Sequence, residues 1–255
     1  MQDHPFSLEE YIMHHVMDGK EWHLPFLPPI HLPGVLTVHS LMLILCSAFL
    51  IFLFCVVYNK KARVPSGVTN LLEIFVLFIR DQVAVACLGE EDGKKMTPLF
   101  CTFFFFILFL NLMGLIPLFS TATANINVTA ALALITFCFM ILGAIWKNGF
   151  FGFVKALIPS GIPAPVLVIL VPIEVLGLFI KAFALTIRLF ANMLAGHIAI
   201  FSLLGLIVLL GYVALPAIFL ALFISLLETF VAFLQAYIFT FLSAMFIGQL
   251  YHPHH

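Results

Sequence analysis

Between Met96 and Tyr251 the chain carries only six charged side chains: Lys147, Lys155, Glu174, Lys181, Arg188 and Glu228. A soluble domain draws about a quarter of its residues from Asp, Glu, Lys and Arg, because its surface must hold water. Six charges cannot coat the surface of a segment that long, so this surface faces hydrocarbon. The whole chain of 255 residues agrees, with 64% hydrophobic and 9% charged residues and a mean hydropathy of +1.20. The expected fold is an all-α integral membrane protein.

Several classes of function drop out at once. The net charge is −1 and no Lys/Arg run is long enough to track a phosphate backbone, so a nucleic-acid partner has no electrostatic support. Cys46, Cys55, Cys87, Cys101 and Cys138 lie mostly in apolar runs without C-x-x-C spacing, which argues against a disulfide framework or a zinc site. His14 and His15, or His252, His254 and His255, lack a His-x-x-x-His pair with a third ligand, so no metal or other cofactor is expected. The start, MQDHPFSLEEYIMHHVMDGKEW, is polar and mixed in charge, unlike a signal peptide. Residues 1–33 read as an extramembrane segment and 34–255 as the membrane domain.

About 20 apolar residues cross a bilayer core. Residues 34–58 form the first such run, with Thr37, His39 and Ser40 as polar interruptions near its start. It stops at Asn59-Lys60-Lys61-Ala62-Arg63 and the turn Pro65-Ser66-Gly67. Residues 69–88 place Glu73 and Arg80 on one face of an otherwise apolar helix, which suits a membrane surface or other helices. Runs 98–119 and 128–146 are further spans, and Phe103–Phe106 reads as apolar filler. Loops 59–65, 89–97 and 147–155 hold seven Lys/Arg, whereas 120–127 holds none, which sets the N-terminus outside.

No polar loop interrupts 165–210, and at ~1.5 Å rise per residue a helix of that length exceeds ~50 Å, against a core of ~30 Å. The same holds for 216–250 after Gly205, Gly211 and Pro216. These two segments read as a long, strongly tilted hairpin, giving five to six membrane helices in all.

The hairpin carries the polar residues that need explaining. Glu174, Lys181 and Arg188 are spaced seven and seven, so each is displaced by about 20° from the last, and Asn192 continues the stripe over about 27 Å. His197, nine after Arg188, faces nearly the opposite way, where Glu228 and Gln235 of the second helix would meet it. A charge at the bilayer centre costs about 2.5–3.5 kcal/mol on insertion scales, so such residues line bundle interiors or aqueous cavities. Lys181 has the alternative of snorkelling to the interface. Arg188 cannot shed its proton, and no carboxylate of this chain is its dedicated partner; the missing anion belongs to another protein.

The segment Ile187-Arg188-Leu189-Phe190-Ala191-Asn192-Met193-Leu194-Ala195-Gly196-His197 resembles the signature of subunit a of the F-type ATP synthase. Asn111–Pro117, Thr123–Thr129 and Leu234–Phe239 also match that family's segments in order. The resemblance implies a subunit that does not bind nucleotide, but conducts protons through two offset half-channels facing a rotating ring of c subunits. It further implies a b-subunit peripheral stalk, the rest of the F1F0 complex, and a bacterial inner membrane, or alternatively the mitochondrial one. Arg188 matches the essential arginine opposite the c-ring carboxylate. Asn192, His197, Glu228 and Gln235 match positions of the half-channel open to the outside, and Glu174 the one open to the inside. Some bacterial members have an acid and a histidine where this chain has His197 and Glu228, an exchange that keeps both groups in the path. Two other readings remain on the residues alone: a coupled secondary transporter, weakened by the lack of an internal repeat, and a purely structural membrane anchor.

Overall fold

A computed structural model of the chain describes residues 18–19, 21–22, 30–34, 36–58, 67–116, 119–157, 164–210 and 215–252. Most of the expected extramembrane segment 1–33, with His14 and His15, lies outside the described residues, as do His254 and His255. A short antiparallel pair, β1 (Glu21–Trp22) and β2 (Ile30–His31), sets Glu21 opposite His31. The regular elements described after it are helices: α1 (Val38–Phe52), α2 (Val68–Phe78), α3 (Ala86–Gly114), α4 (Ile126–Ala156), α5 (Ala164–Leu210) and α6 (Leu215–Tyr251).

Local sequence explains where these helices start and bend. Thr37 precedes α1 and its Oγ1 accepts the Ser40 N–H at 3.3 Å, satisfying one of the first-turn donors. α1 ends in a π-helical turn at Leu53–Val57, and α2 passes through another at Ile79–Val85 into α3. Gly89 (φ 78°) and Gly149 (φ 71°) break the helical path inside α3 and α4 in a backbone region that side chains with a Cβ avoid. Among the described residues five stretches are long and apolar enough to cross a membrane: Val38–Val57, Val68–Gly114, Ile126–Ala156, Pro165–Leu206 and Ile218–Tyr251. The chain is thus an all-α, multi-pass membrane protein. α5 holds 47 residues, which at ~1.5 Å each makes about 70 Å.

The helices contribute to two compact units. One comprises residues 1–51, 106–128 and 188–236. Its first core forms where Val38, Met42 and Cys46, each four apart on one face of α1, meet Leu110 and Ala122. Phe49 and Phe109 add an edge-to-face ring pair at 5.1 Å. A second core is built on Ala124, Met193 and Ala232, where two alanines allow backbones to approach.

The other unit comprises residues 52–105, 129–187 and 237–255. Its centre is aromatic: Phe103 packs edge-on to Phe239 at 5.7 Å, Phe104 lies 5.7 Å from Phe75, and Phe105 lies 5.1 Å from Phe54. The Phe103–Phe106 run is therefore no filler, since Phe103, Phe104 and Phe105 are buried partners of three different segments. A buried hydroxyl pair, Thr136 Oγ1 and Ser243 Oγ at 3.1 Å, joins α4 to α6. At the chain's far end Lys147 pairs with Asp92, and His252 Nε2 lies 3.2 Å from the same carboxylate. Trp146 and Phe151 are fully exposed beside Lys147 and Lys155, the arrangement of an interfacial aromatic belt.

Large apolar side chains such as Ile51, Val168, Phe183, Phe219 and Leu222 also stand exposed. In water each would cost roughly 25 cal/mol per Å² of apolar surface; against lipid tails that penalty vanishes.

Candidate functional site

Two helices of the first unit carry its polar side chains inward. On α5 the 3.6-residue period turns Met193 and His197 to the buried side, and on α6 the same period buries Glu228, Ala232, Gln235 and Ala236. His197 Nδ1 lies 2.9 Å from Glu228 Oε1, with both side chains almost completely buried. The same Nδ1 is 3.0 Å from the Met193 carbonyl, and Nε2 is 2.9 Å from the Gly114 carbonyl of α3. Carbonyl oxygens only accept, so the ring makes both hydrogen bonds only when both nitrogens carry hydrogen. The Nδ1–H axis is aimed at Met193, which leaves both Glu228 oxygens without a hydrogen-bond donor despite the short approach. The pair is in contact without a hydrogen bond between its members.

Gly196 makes this contact possible. A Cβ there would come within 2.8 Å of the Glu228 carboxyl carbon, so any larger residue would push the acid away from the ring.

The same unit holds further buried polar atoms without a protein partner: both amide atoms of Asn111, Thr123 Oγ1 and Gln235 Nε2. Buried polar groups in native proteins are nearly always hydrogen-bonded, to protein or to water, and leaving one bare costs about 1–3 kcal/mol. Every such orphan among the described residues belongs to this one unit. The arrangement suits a hydrated path through otherwise apolar packing.

Arg188 sits elsewhere on the same helix. It is exposed, with Asn192 half-buried one turn on and the small residues Ala191 and Ala195 exposed nearby. Among the described residues Arg188 has no ion-pair partner. The guanidinium thus stands on a face whose near neighbours Ala191 and Ala195 are small.

Of the seven residues singled out in the sequence, Arg188, Asn192, His197, Glu228 and Gln235 fall in this unit, and the structure brings His197 and Glu228 into contact. Glu174 and Lys181 fall in the other unit, both half-buried. There Lys181 Nζ donates to Gln249 Oε1 at 2.8 Å and stands 5.3 Å over the Phe246 ring. Sequence reasoning did not assign Asn111, Thr123, Gly114 or Gly196 to the site. Asn111 and Thr123 are uncharged, and nothing in their spacing separates an unpaired buried amide from a packed one. Gly196 carries a signal only once Glu228 is known to lie against it.

Comparison with known proteins bears on this geometry. Residues 40–248 match the family described as ATP synthase A chain. The chain belongs to that family. The ATP synthase subunit a of Anaeromyxobacter dehalogenans (strain 2CP-C) is 51% identical over 217 residues, covering 83% of this chain and 57% of that protein. The subunit a of Myxococcus xanthus (strain DK1622) is 44% identical over 258 residues, covering 92% and 85%. That of Chloroherpeton thalassium (strain ATCC 35110 / GB-78) is 47% identical over 253 residues, covering 93% and 75%. This chain thus spans little more than half the length of the first of these relatives and most of the other two. As an ATP synthase A chain family member, it has every residue of the polar cluster inside the matched region, from Asn111 to Gln235.

Proposed function

We propose that this chain is the proton-conducting subunit a of an F-type ATP synthase, working within the F1F0 complex of a bacterial inner membrane. The observation that carries the reading is the His197–Glu228 contact of 2.9 Å, set among buried polar atoms that need water. A carboxylate and an imidazole are the side chains that take up and release protons, and at that separation the two can exchange one. Asn111, Thr123 and Gln235 line the approach and hold water to the pair. This is the half-channel open to the outside, and Gln235 and Asn192 are its polar neighbours toward Arg188.

Arg188 supplies the fixed charge. Its guanidinium stays protonated in any surroundings, so it attracts a deprotonated carboxylate on a passing c subunit and bars a proton from crossing directly between half-channels. Exposure of Arg188 beside Ala191 and Ala195 supports a ring of c subunits as the facing partner. Glu174 belongs to the half-channel that releases protons inside, and the long α5 and α6 lie inclined along the ring. A b-subunit stalk holds the chain against rotation. The chain itself binds no nucleotide; each proton crossing the membrane delivers about 2.3 kcal/mol per 100 mV to the rotor.

The test is ATP-driven proton pumping in vesicles that contain the assembled complex. Arg188→Ala assembles and neither pumps nor couples, and Glu228→Gln loses pumping by more than about 10²-fold, the scale of a positioned proton-transfer group. Normal pumping by assembled Arg188→Ala would make the arginine structural and sink the reading.

A further inference from the structure

We propose that His39 is a second proton-relay residue, at the outer mouth of the path to His197, taking protons from Asp18 and passing them to Ser120. This deepens the proton-conducting reading above and rests on it.

His39 lies in the first turn of α1 with 2% of its surface exposed, yet both ring nitrogens have polar partners. Nε2 is 2.9 Å from Ser120 Oγ and Nδ1 is 3.0 Å from Asn125 Nδ2. The tautomer follows from the next bond in the chain. Asn125 Oδ1 accepts the Asn127 N–H at 2.9 Å, which fixes the oxygen end of the amide and turns its NH₂ to the ring. The amide therefore donates to Nδ1, and Nε2 carries the hydrogen and donates to Ser120. Asp18 Oδ1 stands 3.6 Å from Nδ1 and accepts the His39 backbone N–H at 3.2 Å. Asp18 is partly exposed, and among the described residues it is the charged group paired with this ring.

One imidazole thus spans a partly exposed carboxylate and a half-buried hydroxyl. A proton delivered through Asp18 adds to Nδ1 as the Asn125 amide gives way. The Nε2 hydrogen then passes to Ser120 Oγ while the hydroxyl releases its own hydrogen onward. Only N–H and O–H bonds form and break, and one proton enters for each that leaves. The way onward is short. Thr121 follows Ser120 and its side chain lies against Gly114, whose carbonyl holds His197 Nε2 at 2.9 Å. Thr121 is itself buried, and Thr123 Oγ1 and the Asn111 amide supply unpartnered polar atoms beside this segment. The segment 120–125 therefore touches His39 at both its ends and the His197 site in its middle.

The rival explanation is that the His39 bonds merely tie residues 18–19 and 120–125 to α1. Glutamine separates the two, because its amide offers one donor and one acceptor but holds no extra proton at any working pH. The experiment measures proton flow through the complete complex in vesicles, per assembled complex, with outer pH varied from about 6 to about 8 across the range in which histidine titrates. The variants are His39→Gln, His39→Ala with and without added imidazole, and Glu228→Gln as reference. His39→Gln is expected to lower flow about tenfold and flatten the pH profile, a smaller loss than at a reacting atom because water also reaches the mouth. Imidazole is expected to restore much of the flow in His39→Ala. Normal flow and profile in His39→Gln with Glu228→Gln inactive would make His39 structural and leave the inner site standing. A uniform loss without change of profile or imidazole rescue would likewise overturn the relay. Normal flow in both His39→Gln and Glu228→Gln would remove the proton-conducting reading itself.

Discussion

Replacing Gly196 by alanine adds one methyl group where the Glu228 carboxyl already lies, 2.8 Å from the new carbon to Cδ and 3.2 Å to Cγ. Real carbon atoms do not approach so closely, so Glu228 must move, and the contact that it leaves is the 2.9 Å approach to His197 Nδ1. Overpacking by a methylene costs about 1–3 kcal/mol when the surroundings hold. If the carboxyl relieves that strain by swinging away, the same energy must be spent to bring it back for each transfer. At about 1.36 kcal/mol per decade, proton flow falls about 5- to 160-fold. The assay is the initial rate of proton flow per assembled complex in vesicles, for Gly196→Ala, Glu228→Asp and the double variant. Aspartate is shorter by one methylene and makes room for the added methyl, so the double variant is expected to flow faster than the product of the two single losses, by about 1 kcal/mol of coupling or more. Unaltered flow in Gly196→Ala, or strict additivity of the two losses, would refute the claim that the glycine sets the distance between acid and imidazole.

Two further outcomes follow from the second unit. Phe103→Ala removes a buried ring packed at 5.7 Å against Phe239 and is expected to destabilise the chain by about 3–5 kcal/mol, read as loss of assembled complex and a lower unfolding temperature in detergent; a change under about 1 kcal/mol would contradict its place in the core. Lys147→Met removes the ion pair to Asp92 and a hydrogen-bond neighbour of His252, at a site where both charged side chains are only partly covered. The expected loss is about 1 kcal/mol, screened by added salt, and a double-mutant cycle with Asp92→Asn that shows no coupling would refute it.

Much of this was legible in the residues because membrane helices obey simple rules. Apolar length sets a span, a scarcity of charge sets the solvent, and the 3.6-residue period sorts side chains by face. That period put His197 and Arg188 on different faces of one helix, and Glu228 and Gln235 on one face of the next. The uncharged parts of the site were not legible. Asn111 and Thr123 matter because their polar atoms are buried without partners, and burial is a property of the surroundings. The aromatic run at Phe103–Phe106 looked featureless for a related reason, since four identical residues carry no pattern until three separate segments pack on them.

The sequence by itself determined that this chain lives in lipid and that it is helical. Those conclusions need only the cost of charge in hydrocarbon and the length of an apolar run. Tertiary structure decided which acid meets which base. Glu228 and His197 are separated by an entire helical turn-around, and the 2.9 Å contact depends on a glycine that lets one side chain in. The tautomer of His39 was likewise settled by the Asn127 N–H, through an amide on a distant loop. Distances of this kind arise from packing between segments far apart in the chain, and no local spacing encodes them.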